Sequence, residues 1–123
     1  MNKFIIVGRL TKDPEIKELD NGNKVCNVTL AVDRPYKDKE GNKITDFLPY
    51  ALWNKDADKI CQFSRKGDLI SLEGRFDMKE AEINGYKSSV FNPVVESYRH
   101  LANSKNNSFD VPEIENPEEK AIA

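Results

Sequence analysis

Residues 46–67 read DFLPYALWNKDADKICQFSRKG, and the change of period inside this stretch decides the fold. Up to Trp53 the period is two: Phe47, Pro49, Ala51 and Trp53 fall on one face and Leu48, Tyr50 and Leu52 on the other, which predicts a strand over 46–53. Pro49 cannot donate a ladder hydrogen bond, so this strand is expected at a sheet edge or bulged. From Asn54 onward Ala57, Ile60, Cys61 and Phe63 or Ser64 fall near i, i+3, i+4 and i+7, which predicts one helix over 54–66 with Cys61 in the core. Asn54 is its expected cap and Gly67 its stop. Asp56 and Asp58 at the start, with Arg65 and Lys66 at the finish, complement the helix dipole.

Working outward, residues 3–10 are rich in β-branched side chains and form a first strand that bends or bulges at Gly8. Asp20-Asn21-Gly22-Asn23 makes a turn, after which residues 25–32 alternate, with Cys26, Val28, Leu30 and Val32 on one face. Residues 33–45 are polar and Lys-rich and read as a long projecting hairpin loop carrying Tyr36 and Gly41. Beyond the helix, residues 68–77 alternate Ile70, Leu72, Gly74 and Phe76 against Ser71, Glu73 and Arg75. Asn84-Gly85 then turns the chain into a last strand over 86–98, bent at Pro93. A small all-β chain must protect its edges, and rolling into a partly closed barrel does so. Three strands, one helix and two strands is the order of an OB-fold: a five-stranded Greek-key barrel with the helix between strands three and four.

At 123 residues the chain has room for one domain with a modest core and not for a multidomain enzyme. No apolar run approaches the roughly 20 residues that span a bilayer. The opening apolar residues are interrupted by Gly8-Arg9 before a signal peptide could form, so a cytoplasmic location is expected. Cys26 and Cys61 are expected to stay reduced there. Residues 1–105 carry a net charge of +2 and residues 106–123 a net charge of −4. The expected organisation is a folded domain over 1–105 and a disordered acidic tail over 106–123, broken by Ser108, Pro112 and Pro117 and without a periodic apolar pattern.

The blocks Phe4-Ile5-Ile6-Val7-Gly8-Arg9-Leu10-Thr11-Lys12-Asp13-Pro14-Glu15, Asn21-Gly22 and Val28-Thr29-Leu30-Ala31-Val32 closely resemble the opening of bacterial single-stranded-DNA-binding proteins, the SSB family. Phe63-Ser64-Arg65-Lys66-Gly67-Asp68 and Leu72-Glu73-Gly74-Arg75 resemble that family's helix end and fourth strand. The resemblance runs over roughly residues 2–100. It implies an OB-fold that binds single-stranded DNA with little sequence preference, usually as a homotetramer, in DNA replication, recombination and repair. The matching stacking aromatics are Tyr36, Phe47 and Trp53, two of which alternation already placed on one face. Bases need such rings, and phosphates need scattered cations. The candidate cations are Lys55, the best matched because it follows Trp53 at the family's spacing, with Lys3, Arg9, Arg34, Lys37, Arg75 and Lys79.

Pro49 stands where the family commonly has a polar or basic residue, so the path along the third strand is less cationic, and two further features depart from the family. Its aromatic in the hairpin after strand four aligns with Ala81, which removes one platform; Tyr86, five residues later, is the nearest ring that could take its place. The tail holds the acidic, mildly apolar run Asp110-Val111-Pro112-Glu113-Ile114-Glu115 but ends in Ala121-Ile122-Ala123 rather than the tip that docks partners. Docking of replication or recombination proteins through this tail stays open, beside weak competition with DNA for the cationic groove. The plain alternatives are a packed core tryptophan at position 53 and lysines that only solvate the surface.

No metal-ligand spacing, phosphate loop or nucleophile motif accompanies the single His100, so neither an enzyme nor a metal or cofactor is expected. The rivals to the DNA-binding reading are an OB-fold accessory protein acting through protein contacts, with weak DNA binding, and an RNA binder. The excess of Lys over Arg, with many Asn, is the usage expected of an AT-rich bacterium, its phage or a plasmid.

Overall fold

The computed structural model describes residues 1–104; the expected boundary at 105 and the acidic tail over 106–123 lie outside them. The elements are β1 (Phe4–Leu10), β2 (Lys17–Glu18), β3 (Lys24–Lys37), β4 (Lys43–Trp53), α1 (Lys55–Phe63), β5 (Leu69–Ile83) and β6 (Tyr86–Ala102). All pairings are antiparallel. The long strands lie in the order β4-β3-β1-β5-β6, with β2 paired to the start of β3 on the side that β1 takes farther along, and α1 between β4 and β5 in sequence. This is the OB-fold order read from the sequence. β4 and β6 lie against each other without forming a ladder among the described residues, so the barrel is only partly closed. β4 therefore pairs on one side alone, which accommodates Pro49 without a lost ladder bond.

The alternating faces meet as expected. Leu10, Val28, Leu30, Leu52, Ile70 and Leu72 form the buried centre together with Ala57 and Ile60 of α1. Cys61 reaches this core from the helix, and its Sγ lies 3.9 Å from Cys26 Sγ, both thiols being free. Burial pushes the Cys26 thiol up to about 12. Four rings, Tyr50, Phe4, Phe76 and Phe91, continue the core out through one mouth of the barrel, with centroids 5.6, 5.2 and 5.7 Å apart in turn.

Several local expectations are corrected. β2 is an added strand of two residues, too short for any alternation; the turn after it, with Gly22 at φ 87°, closes it onto β3. The loop expected over 33–45 is mostly ribbon: β3 continues to Lys37 and β4 begins at Lys43. That leaves a turn over 38–42, in which Asp38 Oδ1 accepts the Glu40 and Asn42 amides. Asn54 does not cap α1. It sits at φ 51°, and its side-chain oxygen accepts the Lys24 amide at 3.0 Å, so it ties the helix start to β3 instead.

The helix stops at Phe63, three residues early. Ser64 turns extended and buried, its hydroxyl hydrogen-bonded to that of Tyr98, while Phe63 is left exposed. Arg65 still serves the helix end, donating from Nη1 to the Cys61 and Ser64 carbonyls. The carboxylate of Asp68 then anchors the turn and the end of β6. Burial raises its pKa, but the amides of Ser104 and Arg65 and the His100 ring outweigh that and hold it below the usual carboxylate value.

The β5–β6 register shifts at Glu96 and again at Leu101, whereas Pro93, where a bend was expected, pairs in register with Phe76. β5 also runs six residues past the expected end at Asp77, and Asn84 and Gly85, both at positive φ, close it onto β6 in a two-residue turn.

Candidate nucleic-acid interface

The outer face of β4 carries Phe47, Pro49, Ala51 and Trp53, standing opposite Ala31, Thr29, Asn27 and Val25 of β3. Trp53 is 37% exposed, at the end of the strand where the chain turns into α1, and Phe47 is half-buried. They lie six positions apart along a strand, about 20 Å, which leaves room for more than one flat group between the rings. Alternation had placed both on this face. It did not show that Asn27 Oδ1 and Thr29 Oγ1, on the same face, are buried without a hydrogen-bond partner among the described residues.

Tyr36 lies farther out on the β3–β4 ribbon, within the stretch between Asp33 and Lys37 where the register shifts, and is 59% exposed. Its hydroxyl accepts a hydrogen bond from Arg34 Nη1 at 3.3 Å. Arg34 in turn grips Asp46 through Nε and Nη2 at 2.8 and 2.9 Å, next to Phe47. That hydrogen-bonded pair holds the Asp46 carboxylate below its ordinary pKa. The ribbon is thus a small scaffold that sets Tyr36 relative to the β4 rings.

The seven candidate cations separate into two groups. Lys3 is paired with Glu73 at 3.3 Å, Arg34 with Asp46, and Arg75 with Asp77 and Glu96 at 3.0 and 3.2 Å; Arg9 donates from Nη1 to the Gly67 carbonyl at 2.9 Å. Lys37, Lys55 and Lys79 hold no carboxylate among the described residues. Lys55 stands two residues beyond Trp53 at the first position of α1, Lys37 at the end of β3 beside Tyr36, and Lys79 on the β5–β6 ribbon.

Sequence reasoning missed the rings at the barrel mouth. Phe76 was placed on the face of Ile70 and Leu72 and does pack against Phe4, tilted by 45°, but it is 40% exposed and leads to Phe91, 77% exposed, paired with Met78 across the ribbon. The alternation of β5 carried the signal for Phe76; Phe91 had none, because the strand containing it was read without faces. Among the described residues no group of three or more His, Cys, Asp or Glu is placed to hold a metal ion, and no helix is long and apolar enough to cross a membrane.

Phe47 and Trp53 on one face of β4, Tyr36 on the adjoining ribbon, and lysines that hold no carboxylate among the described residues suit flat, unstacked bases on a phosphate chain. Comparison with known proteins points the same way. The model of a family described as the single-strand binding protein family matches residues 1–101. Single-stranded DNA-binding protein 2 of Clostridium acetobutylicum is 40% identical over 119 residues, covering 91% of this chain and 89% of that protein. Single-stranded DNA-binding protein 3 of Listeria innocua is 38% identical over 107 residues, covering 86% and 67%. Single-stranded DNA-binding protein 1 of Clostridium acetobutylicum is 33% identical over 107 residues, covering 85% and 97%.

Proposed function

The chain belongs to the single-strand binding protein family and binds single-stranded DNA; from that premise we propose that it does so by stacking bases on Trp53, Phe47 and Tyr36, with little sequence preference. The observation that carries this reading is the shared outward face of Phe47 and Trp53 on β4, with Lys55, which holds no carboxylate among the described residues, directly beyond it. Every base has a π-face, so rings discriminate weakly among sequences. Lys55, Lys37 and Lys79 are the phosphate ligands. Lys3, Arg34 and Arg75 must each release a carboxylate before they can help, and Arg34 serves the site chiefly by orienting Tyr36.

In this reading the protein is a non-enzymatic cytoplasmic coat for exposed strands in replication, recombination and repair. It acts as a homo-oligomer, a tetramer on the family pattern. The outer side of β1 supports self-association: Ile5 and Val7 are 66% and 46% exposed there, an apolar strip that a second copy would cover. The folded unit over 1–105 is the DNA-binding part, and the acidic tail is a weak competitor for the cations or a docking segment for replication or recombination proteins.

The test is the salt dependence of oligo(dT) binding. Three lysine–phosphate contacts at about 0.7 each predict that log K falls with log salt with a slope of about −2. Lys55→Ala is expected to reduce that slope by about 0.7, and Lys3→Ala, already paired with Glu73, to change it by less than half as much. A slope near zero, or a Lys55→Ala slope equal to the wild-type one, contradicts the assignment. Equal competition by oligo(U) at matched salt is expected of a ring-stacking site, whereas an RNA reader would favour the strand carrying the 2′-hydroxyl.

A further inference from the structure

Cys26 and Cys61, the two cysteines of the chain, take no part in the base-stacking face, yet the fold brings them together. Their Sγ atoms lie 3.9 Å apart, the first on β3 and the second in the last turn of α1. The two sulfurs differ in access. Cys26 is fully buried, whereas Cys61 is half-buried near the end of the helix. Burial raises both thiols above their ordinary value and takes Cys26 up to about 12, with the Cys61 sulfur adding to the rise. Cys61 is thus the sulfur that meets solvent and ionises first. Arg65, whose Nη1 donates to the Cys61 carbonyl at 2.7 Å, is the cation that favours its thiolate.

We infer that this pair is an oxidation site at which hydrogen peroxide joins Cys26 to Cys61 in an intrachain disulfide that staples the DNA-binding segment. The Cys61 thiolate attacks one peroxide oxygen and the O–O bond breaks. Cys61 becomes a sulfenic acid, and the other oxygen leaves as hydroxide and takes up the proton that Cys61 gave off. Cys26 then attacks the sulfenic sulfur: the S–S bond forms, the S–O bond breaks, and the hydroxyl departs with the Cys26 proton as water. The two thiols together lose two electrons, and the peroxide gains them as it becomes two waters. A disulfide holds its sulfurs about 2 Å apart, so the pair must close by about as much again. Cys61 supplies that movement from the last turn of α1, the part of a helix that adjusts most easily. In a reducing compartment the dithiol is the resting form. The loop closed by the bond runs from 26 to 61 and contains Tyr36, Phe47, Trp53 and Lys55, the rings and the best-matched cation of the proposed site. Cys26 stands opposite Leu52, both fully buried, so the bond forms on the core side of the sheet, away from the face of Trp53, the next residue of β4. Oxidation therefore ties down the segment that carries the rings without occupying their face.

The experiment exposes the full chain to hydrogen peroxide under native conditions, stops the reaction with catalase and maps the peptides without reduction. A linked Cys26–Cys61 peptide is expected, in a chain that runs as a single chain on a non-reducing gel. Both thiols should be lost to titration and recovered with dithiothreitol; oxygen added at the exposed Met78 is scored separately by the same map. Closing a loop of this length is expected to raise the melting temperature by about 10–20 °C. The affinity for oligo(dT) is expected to stay unchanged. In Cys26→Ala, Cys61 should stop at the sulfenic acid, which dimedone traps, and in Cys61→Ser, Cys26 should remain a thiol. The thiol count and the linked peptide are read on the unaltered chain, so neither depends on a variant folding. The inference is overturned if both thiols survive peroxide in the folded protein, if the disulfide found joins two chains, or if Cys26 is oxidised in Cys61→Ser as readily as in wild type. It also falls if the oxidised chain melts no higher than the reduced one or no longer binds oligo(dT).

Discussion

Trp53→Ala is expected to weaken binding of fluorescently labelled oligo(dT) about 5- to 150-fold, the range that corresponds to about 1–3 kcal/mol for one stacked base. Trp53→Phe is expected to recover most of the loss. The indole ends β4 opposite Val25 with over a third of its surface exposed, and it lies outside the cluster of side chains that fills the barrel. Its removal should therefore affect the ligand far more than the fold, with secondary structure retained by circular dichroism. Binding is best followed by anisotropy of the probe, because the variant has no tryptophan left to report it. An affinity equal to wild type would mean that the ring is packing and not a platform.

The largest effect on the fold is expected at Gly74. A Cβ there would fall 1.9 Å from the Val94 carbonyl oxygen and 2.9 Å from two ring carbons of Phe4. The first of these contacts is with backbone, at the point where β5 changes register against β6, and the second is with the ring that links Tyr50 to Phe76. Neither neighbour can rotate away cheaply. Overpacking typically costs about 1–3 kcal/mol, and displaced backbone puts Gly74→Ala at or above the upper end. For a folded region of about 100 residues that lowers the melting temperature by about 10–20 °C. A midpoint within a few degrees of wild type would show that the β5–β6 bulge yields more readily than its geometry implies.

How much of this was legible beforehand depended on whether the signal was local. The switch of period at Asn54 located the only helix among the described residues and fixed the order of the long strands around it. The same alternation put Phe47 and Trp53 on one face before any tertiary contact was known. Alternation failed where both faces of a strand meet water. Lys79, Glu80 and Glu82 show no apolar period, so β5 was ended at Asp77 although its ladder continues to Ile83. A residue's nominal role also failed where a distant partner claimed it: Asn54 has the chemistry of a cap, but Lys24 takes its side-chain oxygen.

The cations show the same limit. Arg34 and Asp46, or Lys3 and Glu73, lie far apart in sequence and are brought together only by the ladders, so nothing local distinguished them from Lys37, Lys55 and Lys79. The contact between Cys26 and Cys61 was equally hidden, 35 positions apart, until α1 packed on β3. Residue chemistry alone named the site's ingredients. The fold decided which of them are available.

The most direct measurement follows the emission of Trp53, the one tryptophan in the chain, while oligo(dT) is added to the purified protein. Bases stacking on the indole predict strong, saturable quenching that salt reverses, with the light-scattering mass giving the number of copies per bound strand. Emission that stays constant while the labelled strand is seen to bind would contradict the account, because the DNA would then lie somewhere other than the outer face of β4.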